Sequence, residues 1–259
     1  MDEFNTLLLC AGKGKRLRPY TDLWPKCLMP IHGVPLLEYW LSALRHINLK
    51  NVYVNSHHHS QQMDLFLGRK RFYKWVSILP EEKLFGTAGT IRENRKIFRN
   101  KPLLLIHGDN WSNLNIPSFL AFNKKLHLTN CMMTMVTFFT RQPEFCGIVT
   151  LNDQKVVTNF IEKDRFVKSN LANGAVYFLN KEIVNWICNN DLVNDFSIDV
   201  IPFFLGRILT WHNYGFHRDI GFIETLKKAQ SDPKIELYWK NNDKWLEKFK
   251  LNPIHKKLL

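Results

Sequence analysis

The chain has 259 residues, enough to bury a real core, and its 45% hydrophobic and 23% charged content is that of an ordinary globular protein. No apolar run approaches the roughly 18–20 residues that a bilayer span needs. The formal net charge of +13 is spread along the chain in short runs such as Arg69-Lys70-Arg71, Lys124-Lys125 and Lys227-Lys228. With no recognisable nucleic-acid module, that pattern points to anionic small substrates and a solvated lysine-rich surface rather than to DNA or RNA.

The start, MDEFNTLLLC, is acidic and lacks the basic and small-residue features of a secretory leader, which predicts a cytoplasmic protein. Residues 6–10 form a continuous apolar run suited to a strand buried on both faces, and the run ends at Gly12 and Gly14. Pro35 opens a helix in which Leu36, Leu37, Trp40, Leu41 and Leu44 recur at helical spacing. Residues 51–55 read as a strand, 61–67 as a helix, 76–79 as a strand and 90–98 as a helix. Residues 103–106 form another apolar strand that runs into Gly108-Asp109; 116–126 predict a helix and 132–139 a strand. After Thr140, short strands are expected at 147–151, 156–161 and 175–179. Helices follow at 181–188 and 197–204, then a strand at 208–214 and a basic, helix-prone tail from Ile223. The alternation in the first half is the pattern of an α/β fold: a Rossmann-like, mostly parallel sheet flanked by helices, with a mixed second half.

Cys10, Cys27, Cys131, Cys146 and Cys188 form no CxxC pair, which argues against a disulfide framework and a structural zinc site. His57-His58-His59 is an equally poor metal site, because three consecutive side chains do not face one ion, and it reads instead as a strand-to-helix turn. The sequence concentrates its chemistry in 7–31, LLLCAGKGKRLRPYTDLWPKCLMPI. A buried strand delivers the backbone, at Leu9, into Ala11-Gly12-Lys13-Gly14, where small residues let amides approach an anion. Lys13, Lys15, Arg16, Arg18 and Lys26 surround that turn with positive charge, which calls for a polyanion. Neither GxxxxGK[ST] nor GxGxxG is present.

The longer pattern GxGxRLxPxTxxxPKxLxPI resembles that of the sugar-phosphate nucleotidyltransferases, through Gly12, Gly14, Arg16, Leu17, Pro19, Thr21, Pro25, Lys26, Leu28 and Pro30. The family includes mannose-1-phosphate and heptose-1-phosphate guanylyltransferases and glucose-1-phosphate thymidylyltransferases. The resemblance implies a nucleotidyltransferase domain over 1–233, with a nucleotide-binding half (1–140) and a sugar-phosphate half (141–233), followed by a basic tail (234–259). It also implies that Leu9, Ala11, Gly12, Lys13, Gly14 and Lys15 wrap the nucleotide. Arg16 would hold the β- and γ-phosphates, and Lys26 would neutralise charge near the α-phosphate and the sugar phosphate. Asp109, in HGDN, and Asp219, in HRDIG, match the family's Mg²⁺-binding aspartates, Asp109 being also a catalytic candidate. Gly86 and Thr87, in GTAGT, match the segment near base and ribose. Gly147, Glu162, Lys163 and Asn173 match the sugar-phosphate side. Lys15, Asp164 and Phe222-Ile223 replace residues more usual in the family.

The implied reaction joins an NTP and a sugar 1-phosphate by in-line displacement of pyrophosphate, with Mg²⁺ as cofactor. Glu81 stands where thymidylyltransferases carry a glutamine that reads the pyrimidine. A carboxylate only accepts, which suits the N1–H and N2–H₂ donors of guanine and favours GTP, with Glu82 as the alternative reader. A cytidylyltransferase acting on a phosphate such as phosphocholine, and a silent regulatory subunit of the same fold, are the competing readings. No nucleic-acid or membrane partner is expected; a homo-oligomer is compatible with the sequence.

Overall fold

The first apolar run forms β1 (Asn5–Leu9), with Asn5 to Leu8 buried. Three 3-10 turns (Lys15–Leu17, Tyr20–Asp22 and Lys26–Leu28) then fold the basic loop, and the hairpin β2 (Pro30–Ile31) and β3 (Val34–Pro35) follows it. Pro35 caps α1 (Leu36–His46), whose apolar residues at helical spacing are all buried. Next come β4 (Val52–Ser56), α2 (Ser60–Leu67) and β5 (Val76–Pro80), with β4 and β5 parallel. The helix expected over 90–98 is broken into α3 (Gly89–Glu93) and α4 (Arg95–Phe98), because Asn94 leaves the helical region at φ −99°, ψ 29°. The chain continues with β6 (Leu103–His107), β7 (Asn110–Ser112) and α5 (Ile116–Asn123), the last capped by the Asn115 side chain. Then come β8 (Met133–Phe139), β9 (Gly147–Leu151), β10 (Val157–Glu162), β11 (Leu171–Leu179) and α6 (Lys181–Cys188). In place of a helix over 197–204 there is one π turn (Phe196–Val200) and a 3-10 turn (Pro202–Phe204). Pro202 has no amide to carry a helical ladder forward. The remaining elements are β12 (Ile208–His212), β13 (His217–Asp219), α7 (Ile223–Ala229) and α8 (Lys244–Lys250).

This computed structural model describes residues 4–240 and 242–255, with the backbone alone at 127. The ends of the predicted 1–233 domain and 234–259 tail, at 1–3 and 256–259, lie outside the described residues, as does 241. The class is α/β, with a mostly parallel central sheet and flanking helices in the first half and antiparallel pairing in the second. The chain divides into two compact units. One holds the chain up to Leu7, Phe85–Ile106 and Asn115–Tyr214; the other holds Leu8–Leu84, His107–Leu114 and the chain from Gly215 onward. In the first unit β11 pairs antiparallel with β6, β8 and β9, β10 pairs with β9, and β12 runs parallel to β8. In the second, β4 runs parallel to β5, and β7 and β13 form a separate antiparallel ribbon.

The basic tail packs within the second unit. Trp239 meets Phe72 at 5.6 Å between ring centroids, Trp245 meets Phe66 at 5.2 Å, and Phe249 meets Trp24 at 5.4 Å. Burial of Phe249 contributes about 1.5–3 kcal/mol, and the two tryptophans are half-buried. The run Arg69-Lys70-Arg71 is only partly a solvated basic surface. Arg69 donates to both Glu38 oxygens (2.8 and 3.1 Å), and Arg71 to one (2.7 Å). Trp239 Nε1 adds a bond to Glu38 at 2.9 Å, and Asp243 accepts from Arg69 and Arg71 at 2.8 and 2.9 Å.

Candidate active site

The turn after β1 is built around Asn55. Its Oδ1 accepts from the amides of Cys10 (2.5 Å) and Ala11 (3.2 Å), and its Nδ2 donates to Glu81 Oε1 (2.9 Å). The amides of Gly12, Lys13 and Gly14 have no acceptor among the described residues. Gly14 turns at φ 59°, and a Cβ there would lie 2.8 Å from Thr21 Cγ2. Thr21 Oγ1 donates to Gly14 O at 2.9 Å, so conformation and close approach both require glycine. The resulting pocket, about 240 Å³, is lined by Leu9, Cys10, Gly12, Gly14, Lys15, Arg16, Lys26, Cys27, Asp109 and Gly221.

Charge converges on Lys26. Its Nζ lies 2.7 Å from Asp109 Oδ2 and 2.5 Å from Asp219 Oδ1. Asp109 follows β6 and Asp219 ends β13. They meet because β13 pairs with β7 in a register that puts Asp219 opposite Asn110, Arg218 opposite Trp111 and His217 opposite Ser112. Arg16 Nη2 reaches Asp219 Oδ2 at 3.2 Å, and its guanidinium lies 4.3 Å over the Phe222 ring. A Cβ at Gly221 would come within 2.9 Å of both Arg16 Nη2 and Asp219 Oδ2, so that glycine makes room for the pair. Burial pulls the Lys26 ammonium towards neutrality, but the Asp109 and Asp219 carboxylates outweigh it and hold its pKa above the usual lysine value. Burial opposes ionisation of Asp109 too, and there the Lys26 charge, with help from His107, wins and lowers the carboxyl below its ordinary range.

Of the expected nucleotide residues, Leu9, Ala11, Gly12, Lys13, Gly14, Lys15, Arg16, Lys26, Glu81, Asp109 and Asp219 all fall in the second unit. Gly86, Thr87, Gly147, Glu162, Lys163 and Asn173 fall in the first. There Gly147 pairs with Glu162 across β9 and β10, and a Cβ on Gly147 would lie 2.8 Å from Glu162 Oε2. Lys163 Nζ sits 2.7 Å from Glu162 Oε1. Asn173 Nδ2 donates to Tyr177 Oη at 2.6 Å while its Oδ1 accepts from the Ala175 amide at 2.9 Å. Burial pushes the Tyr177 hydroxyl well above its usual range, so it stays protonated. Gly86, at φ 86°, packs on the Asn194 carbonyl, and Thr87 Oγ1 accepts from the Phe196 amide at 2.6 Å.

Sequence reasoning missed Asn55, whose only mark was its place at the end of a predicted strand. It also missed the seat that Phe222 gives Arg16, although the departure from the usual family residue at 222 was the signal. Among the described residues no group of three or more His, Cys, Asp or Glu is arranged to hold a metal by itself.

The sequence matches a family model described as nucleotidyl transferase over residues 5–234. A protein assigned as a mannose-1-phosphate guanyltransferase in Sulfolobus acidocaldarius is 24% identical over 193 residues, 74% of this chain and 53% of that one. The chain thus spans about half the length of that relative. A D-glycero-α-D-manno-heptose 1-phosphate guanylyltransferase of Campylobacter jejuni is 30% identical over 184 residues, covering 69% of this chain and 77% of its own. Glucose-1-phosphate adenylyltransferases match as well. In fold, the chain is similar to a solved Bacillus anthracis protein assigned as a glucose-1-phosphate thymidylyltransferase, in complex with a sucrose. That similarity has a TM-score of 0.79 at 18% identity and covers 95% of this chain and 99% of that one.

Proposed function

Because the chain belongs to the nucleotidyl transferase family, we propose that it is a sugar-1-phosphate nucleotidyltransferase, forming an NDP-sugar and pyrophosphate. The observation that supports this most is Lys26, an ammonium kept charged between two carboxylates at a pocket whose glycine turn offers backbone amides. An oxygen of the sugar phosphate attacks the α-phosphorus in line, and the bond to the β-phosphate oxygen breaks. Both reactants are anions, so catalysis here is positioning and charge. The amides after Ala11 cradle the phosphates, Arg16 holds the departing pyrophosphate end, and Lys26 faces the α-phosphate and the incoming sugar phosphate. Glu162, Lys163, Asn173 and Gly147 serve the sugar-phosphate side; Gly86 and Thr87 serve the base and ribose. No serine, cysteine or histidine nucleophile is needed, since the attacking phosphate is already ionised.

Asp109 and Asp219 present oxygen donors to one point, where the Lys26 ammonium now sits, and the side chains of both keep a solvent-accessible part. Two carboxylates beside a triphosphate fit a hard divalent cation, and these two aspartates would hold Mg²⁺. The ion would supply further neutralisation of the phosphates. For the base we favour guanine. Glu81 is buried at the end of β5 and takes the Asn55 amide on Oε1, in a chain of bonds that starts at the phosphate turn. A cytoplasmic location agrees with five free cysteines.

The test is pyrophosphate release, with each of four NTPs against a panel of sugar 1-phosphates, with and without EDTA. Release should need both substrates, prefer GTP and stop in EDTA. A preference for dTTP or UTP would remove the guanine assignment. Folded protein that releases none with any pair would remove the activity.

A further inference from the structure

His57-His58-His59 joins β4 to α2, and each ring meets a backbone carbonyl. His57 Nδ1 lies 2.9 Å from Glu81 O. His58 Nε2 and His59 Nε2 lie 3.1 and 2.9 Å from a single oxygen, that of Thr21. A carbonyl only accepts, so each of these ring nitrogens is the donor. The two rings converging on Thr21 lie with centroids 4.0 Å apart and planes tilted by 50°. His59 itself is left-handed, at φ 56° and ψ 44°, which turns its ring back from the start of α2 towards the basic loop.

Thr21 is the residue through which this hold is passed on. It is buried, its hydroxyl donates to Gly14 O at 2.9 Å, and its methyl fills the space beside Gly14. Two imidazoles therefore fix Thr21, and Thr21 fixes the turn whose Gly12 and Gly14 line the pocket. None of the three rings has a part in the proposed chemistry.

We propose that His58 and His59 are positioning residues for the nucleotide: through Thr21 they hold the phosphate turn in its binding shape before the NTP arrives. This rests on the proposed function, in which that turn binds the triphosphate. Such preorganisation acts on the affinity for one substrate only.

The test uses the full chain with His58→Ala/His59→Gly, where glycine keeps the left-handed backbone and removes the ring. The conservative counterpart is His58→Gln/His59→Asn, which restores amide donors at positions that tolerate them. The loss of two hydrogen bonds predicts a KM for the NTP raised about tenfold, with the KM for sugar phosphate within about twofold of wild type. The conservative variant should recover most of the difference. Direct titration with each of the four NTPs, without turnover, should show the same weakening in Kd. An unchanged NTP KM and Kd overturns the inference. So does an equal rise for both substrates that follows a fall in Tm, because that is the mark of a merely structural role. Wild-type protein that binds NTP without releasing pyrophosphate fails the proposed reaction alone, and the Kd comparison still decides the inference. Wild-type protein that binds no NTP overturns both.

Discussion

Two clusters of opposite charge lie in the same unit and differ mainly in their access to water. Around Glu38, the acceptor is fully buried, its partner Arg69 keeps 5% of its side-chain surface exposed, and both arginines are further tied to Asp243. Around Lys26, the ammonium is just as buried, at 9%, but Asp109 and Asp219 keep 34% and 40% of their surface. In the first cluster the central Glu38–Arg69 pair is enclosed, with Asp243 at its edge, and the cluster joins α1, the stretch after α2 and the tail. The second has its cation inside and its anions at the mouth of a pocket. The same types of ion pair thus serve as a fastening when both signs are enclosed, and as a reactive surface when one sign faces outwards.

Removing the centre of each cluster should separate the two uses. Glu38→Ala leaves the buried Arg69 and half-buried Arg71 with Asp243 as their remaining carboxylate and should cost about 3 kcal/mol in urea unfolding, with kcat per folded molecule unchanged. A loss under about 1 kcal/mol would erase the contrast. Lys26→Met should do the reverse, lowering kcat by about 10²–10³ with little change in unfolding midpoint, because water reaches the two aspartates. Acid titration sharpens the same point. Asp109 has its folded pKa lowered from 3.8, so its pairing contributes fully above that value and is lost only as pH falls through the lower folded one. Lys26 has its folded pKa raised from 10.5, so its contribution holds below that value and fades as pH rises through the higher folded one. Carboxyl ¹³C shifts should put the Asp109 midpoint below 3.8, and Lys26→Met should move it upwards; an ordinary midpoint in wild type would contradict the pairing. The smallest effect is expected from Phe222→Leu, which takes the ring from beneath Arg16. The KM for NTP should rise about two- to fivefold, the range of an exposed cation–π contact.

Much of the site was legible in the chain. The buried strand, the glycine turn and the spacing of Arg16 and Lys26 follow from local chemistry, and α1 follows from its apolar repeat. What the sequence concealed was mostly non-local. Glu38 is a charged residue in the first turn of a helix, and periodicity alone does not reveal that Arg69 and Arg71 come to bury it. Strands β7 and β13 are three residues each, too short for an alternating pattern, so the meeting of Asp109 and Asp219 rested on resemblance alone. The interruption at Pro202 was readable, since a missing amide ends a helix wherever it occurs. The histidine run is the strand-to-helix turn that the sequence suggested, but the carbonyls its rings hold belong to residues distant in the chain.

The ribbon of β7 and β13 has one more consequence. Its strands lie on either side of Asn115–Tyr214 in the sequence, yet their register brings the two aspartates together. A slip of one residue would shift Asp219 by about 3.3 Å and turn it to the opposite face. Length changes within Asn115–Tyr214 need not disturb that register. The paired acids are therefore set by a small local clasp, and the long excursion between its strands is left to carry Gly147, Glu162, Lys163 and Asn173.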